Sequence, residues 1–139
     1  MLPCPMCGMH AIPDNVPKPF WYLATPYSRY PLGKEAAHQI ACEMAARCFE
    51  AGILVFSPIA HTHAIAVYGK LDGGFDAWEL FDISMMTAAS GVIVVLMDGW
   101  KESEGIQREM LWCRDNNKPV IFMPEDGLPV FKPNEFALL

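Results

Sequence analysis

Gly91-Val92-Ile93-Val94-Val95-Leu96-Met97-Asp98-Gly99-Trp100 is the stretch on which the fold turns. Val92 to Met97 is an unbroken apolar run, rich in β-branched side chains and without polar alternation. A strand with one wet face alternates, whereas a strand apolar on both faces belongs at the centre of a parallel sheet covered by helices. Asp98-Gly99-Trp100 breaks the run. Downstream, Ser103 is placed to cap a helix reaching about Asn116. Asn117-Lys118 makes a turn, and Pro119 to Met123 is a further strand.

Upstream, a helix is expected over roughly Asp76 to Ala89, preceded by a long loop from Ser57-Pro58 to about Gly74. Ile53 to Phe56 is a strand. Lys34 to Ala51 keeps helical spacing through Ala37, Ile40, Ala41, Met44, Ala45, Cys48 and Phe49, and Gly52 stops it as a glycine beyond a helix end does. Phe20 to Ala24 is the first strand, ending at Thr25-Pro26. Strands alternating with helices give an α/β fold, an open, mostly parallel flavodoxin- or Rossmann-like sheet with helices on both faces. Residues 1–18, rich in cysteine and proline, read as an irregular segment, and residues 19–139 as one domain.

Composition narrows the function. A net charge of −6 argues against binding a nucleic-acid polymer, which takes clustered Lys and Arg, though one local anion site suffices for a mononucleotide. The longest apolar run is far short of the roughly 20 residues that span a membrane, and no signal peptide opens the sequence. The apolar fraction of 53% fits either a subunit interface or a deeply buried sheet. Cys42, Cys48 and Cys113 fall in helical patterns and read as buried, reduced thiols, which implies a cytoplasmic protein. Cys4-Pro5-Met6-Cys7-Gly8 has the form of half a zinc knuckle. A second C-x-x-C is missing, so the reading is no metal and no cofactor, with Cys4 and Cys7 the alternative.

In an open α/β sheet, ligands bind outside the carboxyl ends of the strands. Three segments lie there. The first, Thr25-Pro26-Tyr27-Ser28-Arg29, brings hydroxyls and an arginine suited to a phosphate, without a Walker lysine or a G-x-G-x-x-G. The second holds His61 and His63. H-x-H with no acidic residue nearby does not make a metal set, so the expectation is a loop lining the substrate, with His61 near the sugar or base. The third runs from Asp98 through Ser103 and Gly105 to Glu109. Gly105 and Glu109 share a helix face, the bare glycine lets a ligand approach, and the N–H groups around Ser103 form an anion site. An ordinary helix start with an acidic first turn gives the same pattern. Asp82 lies among Phe81, Ile83, Met85 and Met86, either at the edge of an apolar stripe or buried with a raised pKa.

Together these residues resemble the nucleoside 2-deoxyribosyltransferase superfamily. Trp21-Tyr22-Leu23-Ala24-Thr25-Pro26-Tyr27-Ser28 is similar to its first strand and loop. Ser103-Glu104-Gly105-Ile106-Gln107-Arg108-Glu109 resembles the S-x-G-x-x-x-E segment of the 2′-deoxynucleoside 5′-phosphate N-hydrolases. The Ser-Pro-Ile-x-His loop suggests a bacterial or phage branch. Thr25-Pro26 departs from the glycine and serine usual at that place in the hydrolases, and the His61 loop and cysteine-rich start match nothing in the pattern.

The resemblance implies Glu109 as nucleophile, Tyr22 as the tyrosine that orients it, and Asp82 or Asp98 as the acid for the leaving base. It implies Ser103, Gly105, Ser28 and Arg29 around a 5′-phosphate. Thr25 and His61, read from their places at the strand ends, complete the expected binding site. The expected function is cleavage of the N-glycosidic bond of a 2′-deoxynucleoside 5′-monophosphate through a glutamyl-deoxyribose intermediate. Base exchange, as in the transferases, is the alternative. NAD glycohydrolase chemistry and non-catalytic nucleotide sensing stand behind it. A homodimer or larger homo-oligomer, a nucleotide or nucleoside ligand, and no membrane or nucleic-acid polymer are the expected associations.

Overall fold

The computed structural model describes residues 18–71 and 77–131. The Cys4 and Cys7 reading lies outside the described residues. The elements run β1 (Trp21–Ala24), α1 (Lys34–Glu50), β2 (Val55–Phe56), α2 (Pro58–Gly69), α3 (Ala77–Ala88), β3 (Val92–Leu96), α4 (Glu104–Asp115) and β4 (Val120–Pro124). The four strands form one parallel sheet in the order β2-β1-β3-β4. It is the open α/β architecture expected from the run at Val92.

Alternation along each strand divides the core in two. Leu23, Ile93, Val95, Ile121 and Met123 face α1, meeting Ala37, Met44 and Cys48. Tyr22, Ala24, Val92, Val94 and Val120 face α3 and α4, meeting Met86, Ile106 and Cys113. Both faces of β3 are thus covered, which is why its sequence does not alternate. Burying these side chains stabilises the fold by about 25 cal/mol for each Å² of apolar surface removed from water.

Helix ends follow local chemistry. Past α1, Gly52 takes φ 81°, its N–H bonds to the Phe49 carbonyl, and the Ile53 N–H reaches back to Cys48. This paired closure is a Schellman motif, and the left-handed residue it needs is cheapest as glycine. Asn117, at φ 56°, plays the same part after α4, with the Lys118 N–H on the Cys113 carbonyl.

Two expectations need correction. Residues 58–69, read as loop, form α2. Ser57 is its N-cap, accepting from the Ala60 N–H at 3.1 Å, and Pro58 occupies the first turn. Proline there loses no helical hydrogen bond. The short apolar run Ile59–Val67 lacks an amphipathic stripe, so its period gave no helix signal, whereas the cap and the proline were legible. Cys42, read as buried, is exposed; Cys48 and Cys113 are buried. On α1 the inward positions beside it belong to Ala41 and Met44. Among the described residues no helix is long and apolar enough to cross a membrane.

Strand order places β1 and β3 side by side at the centre. The connection from β1 leads through α1 to β2 on one side, and the chain then returns past β1 to β3 and out to β4. A crevice opens where connections diverge in this way, at the carboxyl ends of the central strands.

Candidate functional site

A cleft of about 260 Å³ occupies that place. The loop after β1 contributes Thr25, Tyr27, Ser28 and Arg29. The first turns of α2 contribute Pro58, Ile59, Thr62 and His63, and α3 contributes Trp78 and Asp82. The start of α4 contributes Ser103, Gly105, Arg108 and Glu109.

Tyr22 organises the floor. It sits in β1 with its side chain on the α3/α4 face, fully buried. Its hydroxyl donates a hydrogen bond to Glu109 Oε2. Burial, then the charges of Glu109 and Asp82, push the phenol well above its ordinary pKa, so it remains a donor. Glu109 lies one and a half turns into α4. Desolvation raises its carboxyl to about 8, the Asp82 charge adding to the rise, while the Tyr22 hydrogen bond and the Arg108 charge oppose it. Asp82 is raised to about 6, again by desolvation, against the Tyr22 hydroxyl and Arg108. The two carboxyls therefore titrate around neutral pH as a pair holding about one proton.

Unpartnered atoms mark the same place. Among the described residues, the buried side-chain oxygens without a hydrogen-bond partner are Thr25 Oγ1 and Asp82 Oδ1, and both residues line the cleft. Native interiors rarely leave such atoms unsatisfied. Two at one cleft are what a site made for a polar ligand would present.

The start of α4 has the expected form. Ser103 is the N-cap, its Oγ accepting from the Ile106 N–H at 3.2 Å. A Cβ built on Gly105 would meet only Ser103 Oγ, at 3.9 Å, so the helix presents bare backbone to the cleft. The first-turn N–H groups of α4 have no acceptor within the helix, and its dipole favours an anion there. Arg29 stands at the rim and pairs with Glu104 at 3.1 Å, both exposed. Ser28 is exposed beside it.

Two anticipated residues are not part of this arrangement. Asp98 is exposed and outside the cleft; β3 ends at Leu96, and the turn that follows carries the carboxylate away from Tyr22. His61 is exposed and stacks on Phe81, centroids 5.5 Å apart, also outside the cleft. Its neighbour His63 lines the cleft instead. On a helix, residues two apart point to nearly opposite sides, so α2 turns His63 to the cleft and His61 away from it.

Arg108 enters the site without having been singled out for it, and His63, named with His61 in the expected substrate-lining segment, joins it. Arg108 follows Gly105 by three residues on one helix, so the same spacing that selected Gly105 could have found it. His63 is buried. Its Nδ1 lies 2.7 Å from the Tyr27 hydroxyl, and its Nε2 lies 2.8 Å from Glu35 Oε2 on α1.

The sequence model of a family described as "Domain of unknown function (DUF1937)" matches residues 20–125, the span that holds every element of the cleft. No curated protein matches the chain.

Proposed function

This chain belongs to the DUF1937 family, and from the geometry of its cleft we propose that it cleaves the N-glycosidic bond of a 2′-deoxynucleoside 5′-monophosphate. The observation that carries the reading is the buried Tyr22 hydroxyl bonded to Glu109 beside Asp82. Two carboxyls with raised pKa values, one held by a donor, form the acid and nucleophile set that retaining glycoside cleavage uses.

In the first step Glu109 Oε attacks C1′ as the C1′–N bond breaks, and Asp82 delivers a proton to the departing base. A glutamyl ester of the sugar results. Water then attacks C1′, Asp82 takes its proton, and Glu109 leaves as carboxylate. The products are the free base and deoxyribose 5-phosphate. Attack needs the shared proton on Asp82, whereas the free protein holds it more on Glu109. Moving that proton from Glu109 to Asp82 runs against the stronger desolvation of Glu109. The positive charge that develops at C1′ favours the Glu109 anion and offsets the cost. Tyr22, already pointed at the carboxylate, favours it in the same way.

The 5′-phosphate would lie over Gly105 against the first turn of α4, with Ser28 and Arg29 also lining the cleft. The pairing of Arg29 with Glu104 at that rim favours a second reading. A guanidinium already partly neutralised suits an unphosphorylated nucleoside, and with a base as second acceptor the chemistry becomes deoxyribosyl transfer.

The test is base release from a panel of deoxynucleoside monophosphates and nucleosides, with and without an acceptor base, beside Glu109→Gln. Release that depends on Glu109 supports glycosidic cleavage, and the acceptor lanes separate hydrolysis from transfer. Absence of release from every substrate, while nucleotides still bind, would turn the reading to nucleotide sensing.

A further inference from the structure

A second cluster forms where α1 packs beside α2, and of its residues His63 also lines the cleft. Glu35 and His38 are three residues apart on α1, so both side chains project from one face toward the neighbouring helix. His63 comes to the same point from α2. The three donor atoms lie within 4.8 Å of one another. The His63 and His38 rings stack, centroids 4.4 Å apart. A lone His-x-His had no acidic residue near it in sequence; the fold supplies one from 28 residues away.

His63 differs from a surface histidine. Its side chain is only 7% exposed, whereas that of Glu35 is 85% exposed. Its Nδ1 faces the Tyr27 hydroxyl oxygen, which can accept the Nδ1 proton and leave the Nε2 lone pair aimed at Glu35. Metal-binding histidines are oriented in this way by a partner on the other ring nitrogen. The donors are two imidazoles and one carboxylate, on a helical pair at i and i+3 with a third residue from the adjacent helix. That set suits a first-row divalent ion such as zinc, with water in the remaining position. Glu35 is 85% exposed and free to adjust, and donors within 4.8 Å of one another suit a shared ion held at roughly 2.0–2.2 Å from each.

We propose that Glu35, His38 and His63 bind one divalent transition-metal ion that clasps α1 to α2, with Tyr27 as the outer partner of His63. This site is independent of the glycosidic reading, and the ion has no part in the steps given for Glu109.

The test uses full-length protein in which Cys4→Ser and Cys7→Ser remove the paired N-terminal thiols and Cys42→Ser removes the exposed thiol 3.6 Å from His38 Nε2. After chelator treatment, zinc is titrated in competition with a chromophoric chelator, and native mass spectrometry gives the stoichiometry. The expected result is one zinc per chain with a dissociation constant of about 10 μM or tighter. His38→Ala and Glu35→Gln, both outside the core and so compatible with folding by circular dichroism, are expected to weaken binding at least tenfold. Tyr27→Phe is expected to weaken it by about tenfold through His63. Zinc that fails to bind, or that binds with unchanged affinity in both His38→Ala and Glu35→Gln, would overturn the proposal.

Discussion

The Tyr22 hydroxyl, from the middle of β1, donates to the carboxylate of Glu109, 87 residues later on α4. Neither side chain would be stable alone where it lies. A phenol on the inner face of a central strand needs an acceptor, and a carboxyl beneath the start of α4 needs a donor. The bond ties the sheet to the helix and leaves a titratable group at the floor of the cleft.

That placement has a cost that depends on pH. Glu109 is raised in the fold from 4.5 to about 8. The folded state therefore holds the proton more tightly than the unfolded chain does between those values. Stability is greatest below about pH 4.5 as far as this group is concerned, and falls as pH rises toward 8. At 1.36 kcal/mol per unit the change reaches at most about 5 kcal/mol. Glu109→Gln removes it. Thermal melts of the variant and the parent should diverge from pH 5 to pH 8.5, with the variant the more stable at the alkaline end. Parallel curves would mean that Glu109 is not desolvated in solution.

If the pair performs glycosidic cleavage, the rate needs one proton between Asp82 and Glu109. Below about 6 both are protonated and the nucleophile is lost; above about 8 both are ionised and the acid is lost. A bell-shaped pH profile of kcat/KM is expected. Asp82→Asn should lower kcat about 10²- to 10⁴-fold for an ordinary base, and much less for a substrate whose leaving base already carries a positive charge. Equal losses for both substrates would remove Asp82 as the acid. Glu109→Gln should cost roughly 10³-fold or more with either.

Gly105→Ala separates folding from ligand access. The added methyl group has no clash within the protein, and alanine favours a helix over glycine by up to about 1 kcal/mol. The variant should melt no lower than the parent, yet bind a deoxynucleoside monophosphate more weakly, by about tenfold, in calorimetric titration. Unchanged affinity would move the phosphate away from α4.

Asp98 and His61 lie outside the cleft. Asp98→Asn and His61→Ala should leave kcat/KM within about twofold, because neither side chain lines the cleft and a group that makes no contact in the transition state contributes nothing to its stabilisation. A large loss in Asp98→Asn would restore it as a second acid. Steady-state rates on the best substrate of the panel decide this.

The sequence by itself determined the α/β architecture. Val92 to Val95, apolar on both faces, suit the centre of a parallel sheet, Gly52 ends α1 as a left-handed residue, and Ser103 begins α4 because its hydroxyl accepts from an N–H that the helix leaves unpaired. These are local relations, written in neighbouring residues. Gly105 and Glu109 were legible for the same reason, since one helix turn connects them. The tertiary structure alone decided which distant groups meet. Asp98 and Asp82 were equal candidates until the turn after β3 carried one outward and α3 brought the other beside Tyr22. His61 and His63 were separated only by the helical twist of α2, and Glu35 reached His63 only through the packing of α1. Desolvation, which sets the behaviour of Glu109, is a property of everything folded around it, and no spacing along the chain records it.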